Sequence, residues 1–280
     1  MKGQWLILII GNAPDLITLF DNCGEDCEWM IEQISNFNHA LSRLRLRSFD
    51  LILLDHNAPG VDPIENLRAV RSASKDAKVI LISSEPGEEQ VIAALREQAF
   101  SYFARPFSVQ GLRDSIRQAI NIEDWEDGIE MLSDDPDFIT LRLRCRLATA
   151  DRLTGFMQEL KIDLPEDDRM HLAMALRELL LNAIEHGGKL DPNERVLVSR
   201  VRTLRTVVYH IQDPGPGFRG NELKHAAISN PSGSPAEHMA YRMELGLRPG
   251  GFGMLMAKQL VDEVIYNEQG NEVVLIKHLD

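Results

Sequence analysis

Glu178-Leu-Leu-Leu-Asn182-Ala-Ile-Glu-His186-Gly187 ends a long amphipathic run in the second half of the chain. From 167 to 185, Leu172, Ala175, Leu176, Leu179 and Ala183 recur at steps of three and four, which predicts a helix with one apolar face. Pro165 and the acidic Glu166, Asp167 and Asp168 suit its start, where backbone N–H groups favour negative charge. Glu178 and Asn182 are four apart and share a different face. A carboxylate and an amide oxygen side by side can orient a water and hold a hard cation. The same spacing also describes a solvated stripe on an ordinary helix, and this stretch alone does not separate the two.

Two further stretches carry the argument outward. Residues 195–202 and 206–212 are rich in Val and Thr, with Val207, Tyr209 and Ile211 on one face, and predict strands. Asp213-Pro-Gly215-Pro-Gly217-Phe218 follows the second of them. A carboxylate there could accept a hydrogen bond from the exocyclic amine of adenine, while Gly215 and Gly217 let the backbone lie against a flat base. Asp-Pro-Gly is equally a plain turn signal. Then Gly250-Gly251-Phe-Gly253 opens a predicted helix over 254–264, with Leu255, Leu260 and Val264 able to face a core. Backbone N–H groups at a helix start attract phosphate, and glycines let it approach. Each signal is weak alone. In this order, each after the right element, the three predict an ATP site.

On these residues, 136–280 resembles the GHKL ATP-binding superfamily, and most closely its anti-sigma-factor serine kinases. The resemblance extends to a first strand over 138–146, a first helix over 150–160, Val261-Asp262-Glu263-Val264, and a closing strand begun by Gly270-Asn271-Glu272-Val273-Val274-Leu275. It implies that Glu178 is the general base that activates a protein serine hydroxyl. It implies that Asn182 binds Mg²⁺, that Asp213 reads adenine with Gly215 and Gly217 beside it, and that Gly250, Gly251 and Gly253 hold phosphates. From 219 to 249 the chain has roughly thirty irregular residues, longer than in that family; such a stretch is usually a functional lid or disordered. Arg242 or Arg248 could reach the γ-phosphate from it, since a transferred phosphoryl group needs cationic clamps. Both could equally be solvated.

The first half has a different rhythm. Trp5–Ile10, 49–54 and Lys78–Ser83 are near-continuous apolar runs, as buried parallel strands are. Helical patterns over 39–47, 64–72 and 88–97 lie between them. The alternation predicts an α/β, doubly wound parallel sheet. Asp55 stands at the carboxyl end of one strand, where this architecture binds ligands. Residues 4–122 resemble a response-regulator receiver domain: Asp55 matches the phosphoacceptor, Ser83 the hydroxyl residue after the fourth strand, and Arg105-Pro106-Phe107 the family's Lys-Pro-Phe. Two departures stand out. Where the family carries an acidic Mg²⁺-binding pair, this chain has Gly11 and Asn12, and the family's lysine is Arg105. Phosphorylating an aspartate requires a cation to neutralise the phosphoryl oxygens. The expectation is a receiver-like module whose Asp55 is not phosphorylated, with Arg105 as a static partner for it. Asp15, expected on the following helix, is a poor substitute ligand.

Charge marks the junction. Eight acidic residues crowd 123–137, which reads as a solvated linker, although Trp125, Ile129, Met131 and Leu132 could line a short buried helix. The expected organisation is 1–122 receiver-like, 123–137 linker, and 138–280 an α+β GHKL-type sandwich. No phosphoacceptor-histidine helix pair is present, which disfavours a sensor histidine kinase, and the histidines lack metal-ligand spacing. A net charge of -13 and a pI near 5.1 argue against binding DNA or anionic lipid. Three cysteines, Cys23, Cys27 and Cys145, make no disulfide framework and fit a reducing cytoplasm. The one early apolar run, Trp5–Ile10, is too short to span a membrane or to be a signal peptide.

The function this predicts is MgATP-dependent phosphorylation of a serine on an anti-sigma-factor antagonist, with the receiver-like module as input, docking or homodimerisation element. Two alternatives stay open. One is an ATP-loaded module that sequesters a sigma factor or other partner without transfer. The other is a two-component regulator phosphorylated on Asp55.

Overall fold

Five apolar strands build the first unit: β1 (Trp5–Ile10), β2 (Trp29–Ile34), β3 (Leu51–His56), β4 (Lys78–Ser83) and β5 (Ser101–Ala104). All pair in parallel, in the order β2-β1-β3-β4-β5, so the chain reverses its winding between β1 and β3. The structure, a computed structural model, describes residues 5–12, 14–21, 29–56, 62–84, 87–122, 126, 128–160, 164–218, 237–244 and 252–279. The connecting helices are α1 (Pro14–Asp21), α2 (Phe37–Leu46), α3 (Pro63–Ala73), α4 (Glu88–Arg96) and α5 (Val109–Asn121). Ile7, Ile9, Leu51, Leu53, Ile80 and Ile82 turn to one face, where Leu16 and Phe20 of α1 and Leu112 and Ile116 of α5 bury them. The doubly wound expectation holds. Strands β2 and β5 escape the apolar-run reading because one is an exposed edge and the other has four residues.

One buried polar device supports this unit. Lys78 opens β4 nearly inaccessible to solvent, and its ammonium donates to the carbonyls of Ala119 and Ile122 at the end of α5. The carbonyls left without partners at a helix C-terminus suit a cation, which lets a lysine sit inside.

The second unit is antiparallel throughout, in the order β10-β11-β9-β8-β7-β6. Its strands are β6 (Ile129–Asp135), β7 (Phe138–Arg144), β8 (Arg195–Arg202), β9 (Thr206–Gln212), β10 (Glu263–Tyr266) and β11 (Glu272–His278). Val196, Val198, Val207, Tyr209, Ile211, Val273 and Leu275 alternate onto one buried face. Helices α6 (Leu147–Glu159) and α7 (Glu166–Asn182) supply the facing layer with Leu153, Phe156, Leu172, Leu176 and Leu179. A helix α8 (Glu237–Glu244) and a short α9 (Gly253–Leu260) follow, α9 packing on α7. This is the expected α+β sandwich of the GHKL type.

The chain divides into two units, Met1–Asp127 and Gly128–Asp280. Two local expectations are corrected. Where 129–132 suggested a short helix in the linker, the backbone is the edge strand β6, paired to β7 with a register shift between Met131 and Ser133. Glu130 lies opposite Arg142 and pairs with it at 3.0 Å, so the acidic run dresses a sheet edge, where charge hinders further strand addition. The predicted helix over 254–264 stops at Leu260; Val264 belongs to β10, whose pairing with β11 outweighs helix continuation. Among the described residues, no helix is long and apolar enough to cross a membrane.

Candidate functional site

Helix α7 does not end at Asn182. It continues through one π turn, Ala183–Gly187, closed by the Gly188 N–H donating to the Ala183 carbonyl at 2.8 Å. Single π turns inside helices are frequent at functional sites. Here the turn delivers Gly187 against Asp213 at the end of β9: a Cβ on Gly187 would overlap the Asp213 carboxylate. Only glycine permits this approach.

Asp213 is tied into its own turn. Its N–H donates to the Asn271 carbonyl at 2.9 Å, and its Oδ1 accepts from the Gly215 N–H at 2.8 Å. Gly217 takes φ +78°, a left-handed conformation that favours glycine, and Phe218 N–H donates to the Gln269 carbonyl at 3.0 Å. Burial raises the Asp213 carboxyl above its ordinary range, opposed by the Gly215 amide. Tyr266 of β10, raised by burial and then by the Asp213 charge, stacks edge-on against Phe218 with centroids 5.2 Å apart.

A cavity of about 540 Å³ joins these parts. Glu178 and Asn182 line it from α7, Asp213 and Gly217 from the turn, Gly253 from the start of α9, and Tyr266 from β10. The structure therefore brings together Glu178, Asn182, Asp213, Gly217 and Gly253, with Gly215 packed on Asp213. Glu178 reaches the first residue of α9: a Cβ on Gly253 would lie 2.6 Å from its Oε2. Gly250, Gly251 and Arg248 lie outside the described residues, as do the side chain of Arg242 and most of the 219–249 insertion. Sequence reasoning missed Tyr266, Arg177 and Asp151. The last two line the same cavity and pair with each other. An alternating strand with one aromatic, or one arginine among many, carries no motif.

The cavity suits a nucleotide. Its volume falls in the range of roughly 300–1,000 Å³ usual for small-molecule sites. Asp213 lines it with a carboxyl that burial raises, and Gly187 and Gly215 pack against that side chain without a Cβ. Among the described residues no group of three or more His, Cys, Asp or Glu side chains is gathered as a metal site. A Mg²⁺ held by one amide oxygen, phosphates and water needs no such group.

In the first unit, the strand ends carry a different constellation. Asp55, with its side chain 1% exposed, receives Arg105 Nη1 at 2.5 Å. The same guanidinium donates through Nε and Nη2 to Asp15 at the start of α1, both at 3.2 Å. Burial raises the Asp55 carboxyl, Arg105 opposes that, and Asp15 adds to it. Ser83 is buried at the end of β4. Gly11 takes φ +126°, and a Cβ there would lie 2.8 Å from the Asp55 carbonyl oxygen. An acidic side chain at 11 is therefore sterically excluded with this backbone. Burial also pushes the Cys145 thiol of the second unit up to about 11, an inert core position.

Each half matches a family model, and the curated relatives match the first half. The family model of the response regulator receiver domain matches residues 7–117, and that of the histidine kinase-like ATPase domain matches 143–277. Sporulation initiation phosphotransferase F of Bacillus subtilis is 30% identical over 118 residues, covering 42% of this chain and 94% of that protein. Chemotaxis protein CheY of Pseudomonas aeruginosa is 33% identical over 81 residues, covering 28% of this chain and 65% of that protein. Among solved structures, a receiver domain from Clostridium thermocellum aligns with a TM-score of 0.37 at 23% identity, covering 42% of this chain and 94% of its own. Residues 143–277 match the histidine kinase-like ATPase domain, and through its first unit the chain belongs to the response regulator receiver family.

Proposed function

We propose that this protein is a cytoplasmic, MgATP-dependent protein serine kinase acting on an anti-sigma-factor antagonist or a similar partner. The observation that supports this best is the single cavity lined by Glu178, Asn182, Asp213 and Gly253. In this reading Asp213 accepts the adenine amine, a bond that guanine does not offer, and Gly187 and Gly215 clear room beside it. Gly253, at the N-terminus of α9, presents backbone N–H toward the phosphates. A Mg²⁺ held by Asn182 would neutralise phosphate charge. Glu178 takes the proton from the serine hydroxyl as its oxygen bonds to the γ-phosphorus; the bridging P–O bond breaks and ADP leaves with that electron pair.

The first unit works, in this reading, by protein contact or homodimerisation, without phosphorylation of Asp55. Arg105, held between Asp55 and Asp15, supplies permanently the cation that phosphoryl chemistry would need from a metal. A fixed guanidinium cannot bridge nucleophile and incoming phosphate as a metal can.

The test starts with the partner. Proteins co-purifying with the full chain are identified by mass spectrometry and incubated with it and radiolabelled ATP. Label on a partner serine, lost in Glu178→Gln while ATP still binds, is the expected result. ATP binding with no transfer to any co-purified protein would replace the kinase by a sequestering ATP-binding module.

A further inference from the structure

We propose that Arg177, anchored on Asp151, is the positioning residue that holds the Glu178 carboxylate in line for phosphoryl transfer. The inference rests on the reading of Glu178 as general base. Arg177 and Glu178 are adjacent on α7, yet both line the cavity. Arg177 Nε and Nη2 each lie 2.8 Å from Asp151 Oδ1 on α6. Nη1 lies 3.7 Å from Glu178 Oε1, an ion pair rather than a hydrogen bond. The other oxygen, Oε2, abuts Gly253. The carboxylate thus sits between a guanidinium and the first residue of α9, and the guanidinium is itself fixed by a carboxylate on a neighbouring helix.

A planar guanidinium with its donors set in a rigid fork is suited to span two carboxylates at once. A flexible glutamate at 27% side-chain exposure would otherwise sample rotamers in which neither oxygen faces the attacking hydroxyl. Holding it costs no substrate affinity, because Arg177 is engaged with protein groups on both sides. Misplacing a reacting group by about 1 Å can cost on the order of a hundredfold in rate.

The experiment measures basal phosphate release from MgATP by the full chain, where Glu178 would activate water, with MgATP affinity by calorimetry and melting temperature alongside. The variants are Arg177→Met, Arg177→Lys, Asp151→Asn, the double variant of Met and Asn, and Glu178→Gln. Arg177→Met should lower kcat by about ten- to a hundredfold and leave KM and calorimetric affinity within about twofold. Arg177→Lys should recover part of the loss, since an ammonium can reach Glu178 without forking to Asp151. The double variant should be no slower than Arg177→Met alone, because Asp151 acts through Arg177.

An unchanged kcat in Arg177→Met, beside an inactive Glu178→Gln, overturns this inference alone. A raised KM with unchanged kcat also overturns it, by making Arg177 a nucleotide contact. Losses that add in the double variant do the same. Wild-type turnover that is absent, or indifferent to Glu178→Gln, overturns the base reading and this inference with it.

Discussion

Asp213→Asn should push affinity and stability in opposite directions. Asn keeps an Oδ1 that can accept the Gly215 N–H at 2.8 Å, so the turn survives. What changes is the group facing the cavity: an anionic acceptor becomes an amide that can present N–H₂ to the adenine amine. A hydrogen bond to a charged group is worth roughly 1.5–3 kcal/mol, so ATP affinity should fall about ten- to a hundredfold. Stability runs the other way. Burial raises the Asp213 carboxyl, so the folded protein holds that proton more tightly than the unfolded chain does. The stability this contributes is full below the unfolded carboxylate range and lost as pH rises through the folded value. At neutral pH the free protein therefore carries a half-buried anion that Asn removes. The variant should melt above the wild type at neutral pH, and the advantage should disappear at acid pH. Calorimetry with ATP and GTP, plus melting curves across pH, measures both. Equal affinity for the two nucleotides in the wild type, or unchanged ATP binding in the variant, refutes the adenine-reading role. A variant that melts lower at every pH refutes the electrostatic account.

Asn182→Ala should weaken MgATP more than metal-free ATP, because the lost group is a cation ligand; equal losses in calorimetry would make Asn182 a packing residue. Gly253→Ala should leave the melting temperature unchanged or higher, since Ala favours helices, yet slow turnover by displacing Glu178 Oε2, 2.6 Å from the new methyl; full turnover would show that the carboxylate does not work from this position. Arg105→Met should destabilise the protein by about 3 kcal/mol at neutral pH, since it strands a buried carboxylate, and by less at acid pH where Asp55 takes up a proton; a pH-independent loss in denaturant melts would contradict the ion-pair account. Mass spectrometry after acetyl phosphate or beryllium fluoride with Mg²⁺ should find no adduct on Asp55, and an adduct absent from Asp55→Ala would show that the site works without an acidic pair.

Much was legible in the sequence because two periodicities separate cleanly. Continuous apolar runs in the first half and alternating strands in the second identify a parallel and an antiparallel sheet, since burial on two faces or one dictates the pattern. The site motifs meet at one cavity because each ends an element there: Glu178 and Asn182 one helical turn apart on α7, and the turn of Asp213 and Gly217 after β9; that Gly187 packs on Asp213 was not legible. Strand β6 was not legible, because an acidic edge strand reads as linker until a partner edge is known. Nor was the end of α9, where β11 waits for Val264 and Tyr266. The contacts that assemble the sites are longer-range still. Arg105 meets Asp15 and Asp55 across 90 and 50 residues, and Arg177 meets Asp151 across 26. Local sequence sets which backbone each segment prefers; which charges become neighbours depends on how sheets and helices stack, and that only the tertiary structure decided.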